Sequence, residues 1–220
     1  MTMMIRSLVP MGLIAAACLA AVVPGGSPGP LPKPLTRRAK SLEEVLAARR
    51  SIRRFQDAPL TIQQISQLCW AAQGITDQGR GFRTCPSAGA LYPLELYVVT
   101  AEGVSHYVPA GHALEVHLPG DIRRQLQEAS WNQGCVGQAP AVFVIAAEIQ
   151  RTARKYGQRA ERYVHMEVGH AGQNILLEAV ALDLGAVPVG AFEDAKIAAA
   201  LKLPQGVVPL YLIPVGHPAE

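Results

Sequence analysis

Capped amphipathic segments and short apolar runs alternate along the chain from residue 41 onward. Ser41 and Glu44 have the spacing of a capping box, in which each side chain binds the backbone N–H of the other residue. Thr61 and Gln64 repeat that spacing, and apolar positions recur every three or four residues after both caps. The pattern predicts a first helix that runs to about Arg49 and a second helix that starts at Thr61.

Longer apolar runs without that period predict strands, and three further amphipathic segments predict helices. The predicted strands are 94–100, 104–108, 113–118, 141–147, 186–190 and 207–215, the predicted helices are 121–130, 161–184 and 193–201, and 75–90 is a predicted loop. The almost wholly apolar run 141–147 indicates a central strand that is buried on both faces. Pro209 and Pro214 indicate that the last strand is not paired along its whole length. Because helices and strands alternate irregularly, we predict an α+β fold.

Residues 1–23 have the pattern of a targeting segment. Arg6 precedes an apolar stretch from Leu8 to Val23, and small residues at Cys18 and Ala20 permit cleavage after Ala20. The stretch is short for a membrane span, which takes about 20 residues. A cleaved signal peptide is therefore favoured, with an N-terminal anchor or a lipidated Cys18 as alternatives. We expect an exported protein, periplasmic or extracytoplasmic, that meets a membrane only through a retained or lipidated leader.

Five prolines and three glycines lie between positions 24 and 34, directly after the leader. This composition favours a structureless tether, and we assign residues 24–40 as a linker. Residues 41–220 then form one folded domain. The chain is 50% hydrophobic and 17% charged, which is enough for a sizeable core and excludes a disordered protein.

Charge and cysteine content exclude two further classes of function. The net charge of +3 is scattered along the chain and aromatic residues make up 5%, so no nucleic-acid partner is expected. No cluster of Cys and His has metal-ligand spacing, and no metal is expected. Apart from Cys18 in the leader, the cysteines are Cys69, Cys85 and Cys135, which can form at most one disulfide between partners that the sequence does not identify. We favour three small buried apolar side chains.

Four arginines lie within six residues directly after the first predicted helix. Guanidinium groups bind phosphate in a forked geometry and a hydroxyl adds a donor, so phosphate is a natural ligand here. The candidate phosphate ligands are Arg49, Arg50, Ser51 and Arg53. A solvated basic face, or a patch that faces anionic lipid, is the alternative, and on these residues alone it is slightly favoured.

Two stretches of small residues permit close approach to a flat ligand. The first is a loop between two prolines, and its candidate ligand-facing residues are Pro86, Ser87, Ala88, Gly89 and Leu91. The second follows the long predicted helix, and its candidate residues are Pro188, Val189, Gly190 and Ala191. Backbone N–H groups of the second stretch could face a ring system. Taken alone, the first stretch has an ordinary strand-entry loop as its alternative interpretation. The alternative for the second is a buried strand that ends in a turn.

In this order and at these separations, the motifs resemble the nitroreductase family of FMN proteins. The family's Arg-Arg-Ser-x-Arg-x-Phe pattern is matched by Arg49 to Phe55. Its SagB-type branch, which includes azoline-forming dehydrogenases, has a Pro-Ser-Ala-Gly-Ala-Leu-Tyr-Pro loop that Pro86 to Pro93 matches in full. Gly185 to Gly190, after a long helix, and Pro214 to Pro218, at the last strand, match two weaker motifs. The resemblance covers about residues 41–218.

The resemblance implies a mainly antiparallel central sheet flanked by helices, and a homodimer with flavin sites at the subunit interface. It implies that the residues that hold the FMN phosphate and ribityl chain are Arg49, Arg50, Ser51 and Arg53. The loop from Pro86 to Pro93 would then lie near the flavin of the partner subunit. Residues 188–191 would pass the isoalloxazine, with the N–H of Gly190 or Ala191 near its reactive nitrogen.

The implied function is that of an exported FMN-dependent oxidoreductase. The flavin would pass hydride or electrons to or from a small organic substrate in a ping-pong cycle. The electron donor is unknown, because nicotinamide cofactors are scarce outside the cytoplasm. No side chain is identified as a general acid or base, and surface or core roles are expected on the long helix for Tyr163, His165, Glu167 and His170. A non-catalytic flavin-binding protein on this fold, and an azoline-type dehydrogenase that acts on a peptide, are the alternatives.

Overall fold

A seven-stranded sheet runs through the computed structural model, which describes residues 29–219. The strands are β1 Gly29–Pro30, β2 Ile75–Asp77, β3 Phe82–Arg83, β4 Leu94–Val99, β5 Gly103–Val108, β6 Ala113–Pro119, β7 Ala141–Glu148, β8 Gly185–Ala186 and β9 Val207–Gly216. Their order across the sheet is β1-β6-β5-β4-β7-β9-β8, and β2 and β3 form a separate hairpin. Neighbouring strands in the sheet are antiparallel. The predicted α+β fold with a mainly antiparallel sheet is confirmed.

Helices cover both faces of this sheet. The helices are α1 Leu42–Ala48, α2 Ile62–Gln73, α3 Arg123–Ala129, α4 Gly134–Gln138, α5 Ile149–Tyr156, α6 Ala160–Ala181 and α7 Asp194–Ala200. Successive side chains of a strand point to opposite faces, and β7 therefore contributes to two cores. Phe143 and Ile145 pack in the core that includes α2 and α6. Val142 and Val144 pack in the core that includes α3, α4 and α7, so β7 is buried on both faces as predicted.

Capping boxes start α1 and α2, as the sequence predicted. The hydroxyl of Ser41 accepts from Glu44 N at 3.2 Å, and the Glu44 carboxylate accepts from Ser41 N at 2.6 Å. Thr61 and Gln64 make the equivalent pair of bonds at 3.2 and 2.8 Å. These bonds satisfy N–H groups that have no partner within the helix. The start of α1, and with it the position of Arg49 at its end, is thereby determined by local sequence.

Several elements differ from the prediction. The predicted loop 75–90 contains the β2–β3 hairpin, and α4 and α5 were not predicted. The long helix ends at Ala181, because the chain must turn there to enter β8, which pairs with β9. The predicted strand 186–190 is paired at its start and again at Val189.

The last strand is also more completely paired than its prolines suggested. β9 pairs with β7 from Val207 to Val215 except at Leu210, which the ladder skips, so pairing is interrupted beside Pro209, as expected, but not at Pro214. A register shift next to Pro209 accommodates that residue. The carbonyl of Pro214 accepts from Val187 N at 3.1 Å, on the side away from β7. The nitrogen of Pro214 faces the same way, so the missing N–H removes no bond to β7.

The described part of the predicted linker, residues 29–40, lies along the domain instead of forming a free tether. Leu31 is buried in the core, and its N–H donates to His112 O at 2.8 Å. The backbone of Leu35 exchanges two hydrogen bonds with the Gln67 side chain, at 2.8 and 3.0 Å. This docking could not be predicted from the sequence, because one buried leucine among prolines has no periodicity.

The predicted signal peptide or anchor, residues 1–23, lies outside the described residues, as do residues 24–28. Its cleavage or retention stays a prediction. None of the helices within residues 29–219 is long and apolar enough to cross a bilayer.

Gly185 allows Ile52 to pack against β8, and its replacement tests that contact. A Cβ at position 185 would lie 2.7 Å from the Cβ and Cγ2 of Ile52. We expect Gly185→Ala to lower the free energy of unfolding by about 1–3 kcal/mol through overpacking, as measured by urea denaturation. Gly111→Ala is the control, because its Cβ would meet only the Ala113 Cβ, at 3.8 Å. Equal stability of the two variants would show that the close approach of Ile52 is not required.

Candidate functional site

Backbone hydrogen bonds hold the arginine segment against the edge of the sheet. Arg49 ends α1 in an extended conformation, with φ −57° and ψ 123°, which directs the chain away from the helix. Ser51 then forms a parallel bridge with Ala186, and Ile52 N donates to Ala186 O at 3.0 Å. The segment therefore adds a short extended stretch beside β8.

The same segment next follows the end of β9. Phe55 forms an antiparallel bridge with Pro218, and Gln56 N donates to His217 O at 2.9 Å. Arg53 lies between this contact and the contact at β8. Its backbone position is therefore fixed from both sides, whereas its side chain is exposed.

Within residues 29–219, no carboxylate forms an ion pair with the guanidinium groups of this segment. Arg50 Nη1 donates to the carbonyls of Ala47 at 2.9 Å and Arg49 at 2.8 Å, and so satisfies acceptors at the end of α1. Among residues 29–219, Arg49 and Arg53 form no ion pair with a carboxylate. The hydroxyl-bearing residue between them, Ser51, is exposed. This cationic surface with an accessible hydroxyl has the donor set that a phosphate group requires.

Two exposed backbone donors lie four and five residues after the end of β8. Val189 and Leu212 each donate an N–H to the other's carbonyl, at 2.8 and 3.0 Å, which fixes this stretch beside β9. Gly190 and Ala191 are exposed, and neither N–H donates a hydrogen bond within the described part of the chain. Gln133, which lies outside every predicted motif, donates from Nε2 to Ala191 O at 3.0 Å. The stretch thus offers free N–H groups to an acceptor on a ring.

The structure brings two of the three predicted motifs together. Ser51 pairs with Ala186, which lies two residues before the half-buried Pro188. The α3–α4 region also links the arginine segment to residues 188–191. Gln133 donates to Ala191 O, and the charge of Arg53 acts on the pKa of Cys135. Burial raises the pKa of the Cys135 thiol, and Arg53 acts in the opposite direction. The arginine segment and residues 188–191 therefore form one continuous surface.

The third motif, the loop from Pro86 to Pro93, lies elsewhere in the chain. The Cys85 thiol, directly before the loop, donates to Glu167 O at 3.6 Å. Glu167 is about 20 Å from Ala181 along α6, at about 1.5 Å per residue. Since β8 follows the end of that helix, the loop and the arginine segment lie toward different parts of α6. Among the predicted ligand-facing residues of the loop, the exposed ones are Pro86 and Gly89, and the half-buried ones are Ser87, Ala88 and Leu91.

Tyr92 is the point at which this loop is fixed. Its N–H donates to the Ser87 hydroxyl at 2.9 Å, and its carbonyl accepts from Arg151 Nη1 at 2.7 Å. The Arg83 guanidinium lies over its ring, 4.3 Å from the centroid. These contacts hold a strained backbone, because Ala90 and Tyr92 have φ values of 53° and 47°. Left-handed conformations of residues other than glycine cost of the order of 1 kcal/mol each.

A buried carboxyl lies behind the loop. Glu167 is 3% exposed. Burial raises its pKa to about 7, against the opposing effects of Ser87, Arg83 and Arg151. The sequence predicted a core or surface role for Glu167, without these effects of Ser87, Arg83 and Arg151 on its pKa. A signal was present, since Glu167 falls on the apolar stripe of its helix, three residues after Val164.

The three cysteines of the domain are buried and unbonded, as favoured from the sequence. Burial, reinforced by the charge of Glu167, raises the pKa of the Cys85 thiol to about 12, with Arg83 acting against this shift. Burial also raises the pKa of Cys69. Neutral thiols of this kind pack as small apolar groups and are poor nucleophiles.

Comparison with known proteins places this architecture in a family. The nitroreductase family model matches residues 46–217. A provisionally named nitroreductase of Methanocaldococcus jannaschii is 46% identical over 185 residues, which cover 81% of this chain and 92% of that protein. The NADPH-dependent FMN reductase of Bacillus subtilis is 26% identical over 191 residues, which cover 80% of this chain and 66% of that protein.

A solved structure agrees with these sequence matches. The crystal structure of a provisionally named nitroreductase from Ralstonia eutropha superposes with a TM-score of 0.83 at 27% identity, over 98% of this chain and 97% of that one. The class that the fold and the matched motifs define is that of flavin oxidoreductases. This chain belongs to the nitroreductase family.

Proposed function

We propose that this protein is an FMN-dependent oxidoreductase of the nitroreductase family. The observation that carries the proposal is the backbone pairing of the arginine segment, through Ser51 and Ile52, with Ala186, four residues before the free N–H of Gly190. Arg49 and Arg53 of that segment form no ion pair among residues 29–219. A phosphate needs the guanidinium donors and a flavin ring benefits from the N–H donor. The identity of the flavin as FMN, rather than a dinucleotide, is supported by the FMN reductase among the relatives.

The proposed roles follow the two halves of this surface. Arg49, Arg50, Ser51 and Arg53 bind the phosphate and ribityl chain. Pro188 and the backbone of Val189, whose side chain is buried in the core, line the ring, and the N–H of Gly190 or Ala191 donates to the ring nitrogen that changes protonation. When bound, FMN supplies the hydride or electron transfer, and the protein supplies position and hydrogen bonds.

A homodimer would complete this site with the loop from Pro86 to Pro93. The loop is separated from the arginine segment within one chain, so we assign it to the flavin of the partner subunit. Apolar surface suited to an interface is exposed on α1 and α6. Leu42 is 60% exposed, Leu46 51% and Met166 49%. Gly169, on the exposed face of α6, has no neighbouring atoms within 4 Å of a Cβ position and leaves room for a second helix.

The substrate is proposed to be a small organic molecule stacked on the exposed ring face, and the electron donor is unassigned. A flavin carrier without turnover is the second candidate. It is favoured by the fact that residues 188–191 offer only backbone groups, with no side chain that transfers a proton. Reduction of a quinone or nitroaromatic by the photoreduced protein separates the two functions. Assignment to the SagB-type branch, and with it azoline formation on a peptide as an alternative function, is supported by the sequence of the Pro86–Pro93 loop.

We further propose that the protein acts outside the cytoplasm, on the basis of the leader sequence. The intact mass of the protein purified from a bacterial host after fractionation tests this. A mature chain that begins at Ala21, or a lipidated or anchored chain in the membrane fraction, supports export. A full-length chain in the cytoplasmic fraction contradicts it.

Charge reversal tests the phosphate assignment. Arg49→Glu with Arg53→Glu removes two charge-assisted contacts, each worth about 1.5–3 kcal/mol. We expect FMN affinity to fall at least about 100-fold, since about 1.4 kcal/mol corresponds to a factor of ten. The measurement is quenching of FMN fluorescence on titration with protein freed of flavin.

Arg124→Glu is the matched control, because Arg124 is 89% exposed on α3 and, within residues 29–219, pairs with Glu128 alone. It should bind FMN as the wild type does. Wild-type affinity in the double variant would refute the assignment of the arginines. Purified wild-type protein that is colourless and ignores added FMN would refute the flavin function as a whole.

A further inference from the structure

The Pro86–Pro93 loop rests on α5, the helix that begins directly after β7. Arg151 and Lys155 lie one turn apart on this helix, and therefore on the same face. Arg151 Nη1 donates to Tyr92 O at 2.7 Å. A Cβ at Gly89 would lie 3.0 Å from Lys155 Nζ, so the absence of a side chain there lets the lysine approach the loop. One face of α5 thus contacts the loop at two points.

The Arg151 guanidinium binds three groups at once. Besides the Tyr92 carbonyl, Nη2 donates to Glu95 Oε1 at 2.6 Å and to Glu148 Oε2 at 2.8 Å. Nε also donates to Glu148 Oε2, at 3.2 Å. These partners belong to the end of the loop, to β4 and to β7. The planar fork of a guanidinium can hold such a set in one geometry, whereas the compact ammonium of a lysine cannot.

Glu95 orients this guanidinium from the sheet. Its second oxygen, Oε2, accepts from His106 Nε2 at 2.8 Å, so the carboxylate is held between β5 and α5. Burial acts to raise the pKa of Glu95, but the hydrogen bonds from His106 and Arg151 lower it overall, and the carboxylate is charged at neutral pH. One chain of hydrogen bonds therefore runs from His106 through Glu95 and Arg151 to Tyr92.

Arg151 holds the loop where its backbone is most constrained. Tyr92 has φ 47°, and Ala90 has φ 53°. Their N–H groups donate to Ser87, at 2.9 and 3.0 Å, and these bonds close the loop on itself. The bond from Arg151 joins the closed loop to another element. A strained backbone of this kind persists only where surrounding contacts hold it.

The strand that follows the loop is held by other contacts. Glu148 N donates to Pro93 O at 2.9 Å, and β4 pairs with β7 from Leu94 onward. Loss of the Arg151 side chain should therefore loosen the loop and leave the sheet paired.

We propose that Arg151 is a positioning residue for the flavin site. It fixes the backbone of Tyr92 and thereby the shape of the Pro86–Pro93 loop, and Glu95 orients its guanidinium for that task. The loop then presents one fixed surface to the flavin of the partner subunit. This inference rests on the proposed function, because the shape of the loop matters to flavin binding only if the loop meets a flavin.

Two measurements on Arg151→Ala test this role. The first is amide hydrogen exchange of Ala90 and Tyr92 in flavin-free protein, which reports the loop because both N–H groups donate within it. Exchange should become about tenfold faster, as expected from loss of a charge-assisted hydrogen bond, while the amides of β4 and β7 keep their wild-type rates. The second is FMN affinity from fluorescence quenching, which should fall by a similar factor.

Arg154→Ala is the matched control, because Arg154 lies on the same helix, is 78% exposed and approaches Glu148 no closer than 3.8 Å. Both measurements should give wild-type values. Guanidinium ion, added far below denaturing concentrations, should restore slow exchange and FMN affinity to Arg151→Ala by binding where the side chain was. A role of Arg151 in general stability alone would show no such rescue, and failure of the rescue counts against the proposal.

If Arg151→Ala does not fold, Arg151→Lys replaces it, because a lysine keeps the charge but cannot bind the carbonyl and both carboxylates together. It should show the same two changes at smaller size. Glu95→Gln combined with the Arg151 variant should be no worse than that variant alone, because the two residues act in one chain of contacts. Additive effects would overturn the orienting role of Glu95.

The two measurements separate this inference from the proposed function. Absence of FMN binding by the wild type overturns the flavin function itself. Wild-type FMN affinity in the Arg151 variant overturns the role of Arg151 and leaves the flavin function standing. If exchange is faster in that variant while FMN affinity is unchanged, the loosened loop does not meet the flavin, and the inference is overturned as well.

Discussion

The candidate flavin-binding surface depends on the hydrogen bond from Ile52 N to Ala186 O. This bond attaches the segment after α1 to β8, and the absence of a side chain at Gly185 allows the contact. Without this attachment, Arg49 and Arg53 would lie on a free loop, and unbalanced cations on a free loop do not define a site. With it, their segment is paired with β8, and the chain after β8 leads to Gly190 and Ala191, whose direction is set by pairing between Val189 and β9. A phosphate and a ring can then be held by one rigid edge of the sheet.

The long helix α6 imposes the second constraint. It connects the region of the Pro86–Pro93 loop to the entry of β8, and its length keeps the two apart in one chain. The proposed dimer resolves this separation by pairing each arginine segment with a loop from the other subunit. The exposed apolar residues of α1 and α6 would then be covered by the same association that completes the sites.

The sequence predicted those features that are encoded locally. The capping boxes at Ser41 and Thr61 predicted the starts of two helices, and the unbroken apolar run of β7 predicted a central strand. Features that depend on distant contacts escaped prediction. Leu31 docks in the core from a proline-rich segment, and α4 forms despite Gly134 and Gly137, because packing outweighs helix propensity there.

The candidate site divides in the same way. Motif residues such as Arg49 and Ser51 could be identified because the family pattern is contiguous in sequence. Gln133 and Glu167 could not, since their contacts join residues that are far apart in the chain. The placement of a buried charge is a property of the tertiary fold, and a single sequence records it only as one polar residue on an apolar stripe.

Subunit complementation tests the central claim, that the arginine segment of one chain and the Pro86–Pro93 loop of another form one flavin site. One chain carries Arg49→Glu with Arg53→Glu, and the other carries Gly89→Val, which cannot adopt the left-handed conformation at φ 63° beside Tyr156. Heterodimers are isolated through two different affinity tags, and bound FMN is counted by absorbance. A shared site predicts that each homodimer lacks FMN and that the heterodimer, with one intact pairing, binds about half the wild-type amount. A heterodimer without FMN, or a Gly89→Val homodimer with full FMN, would contradict the account.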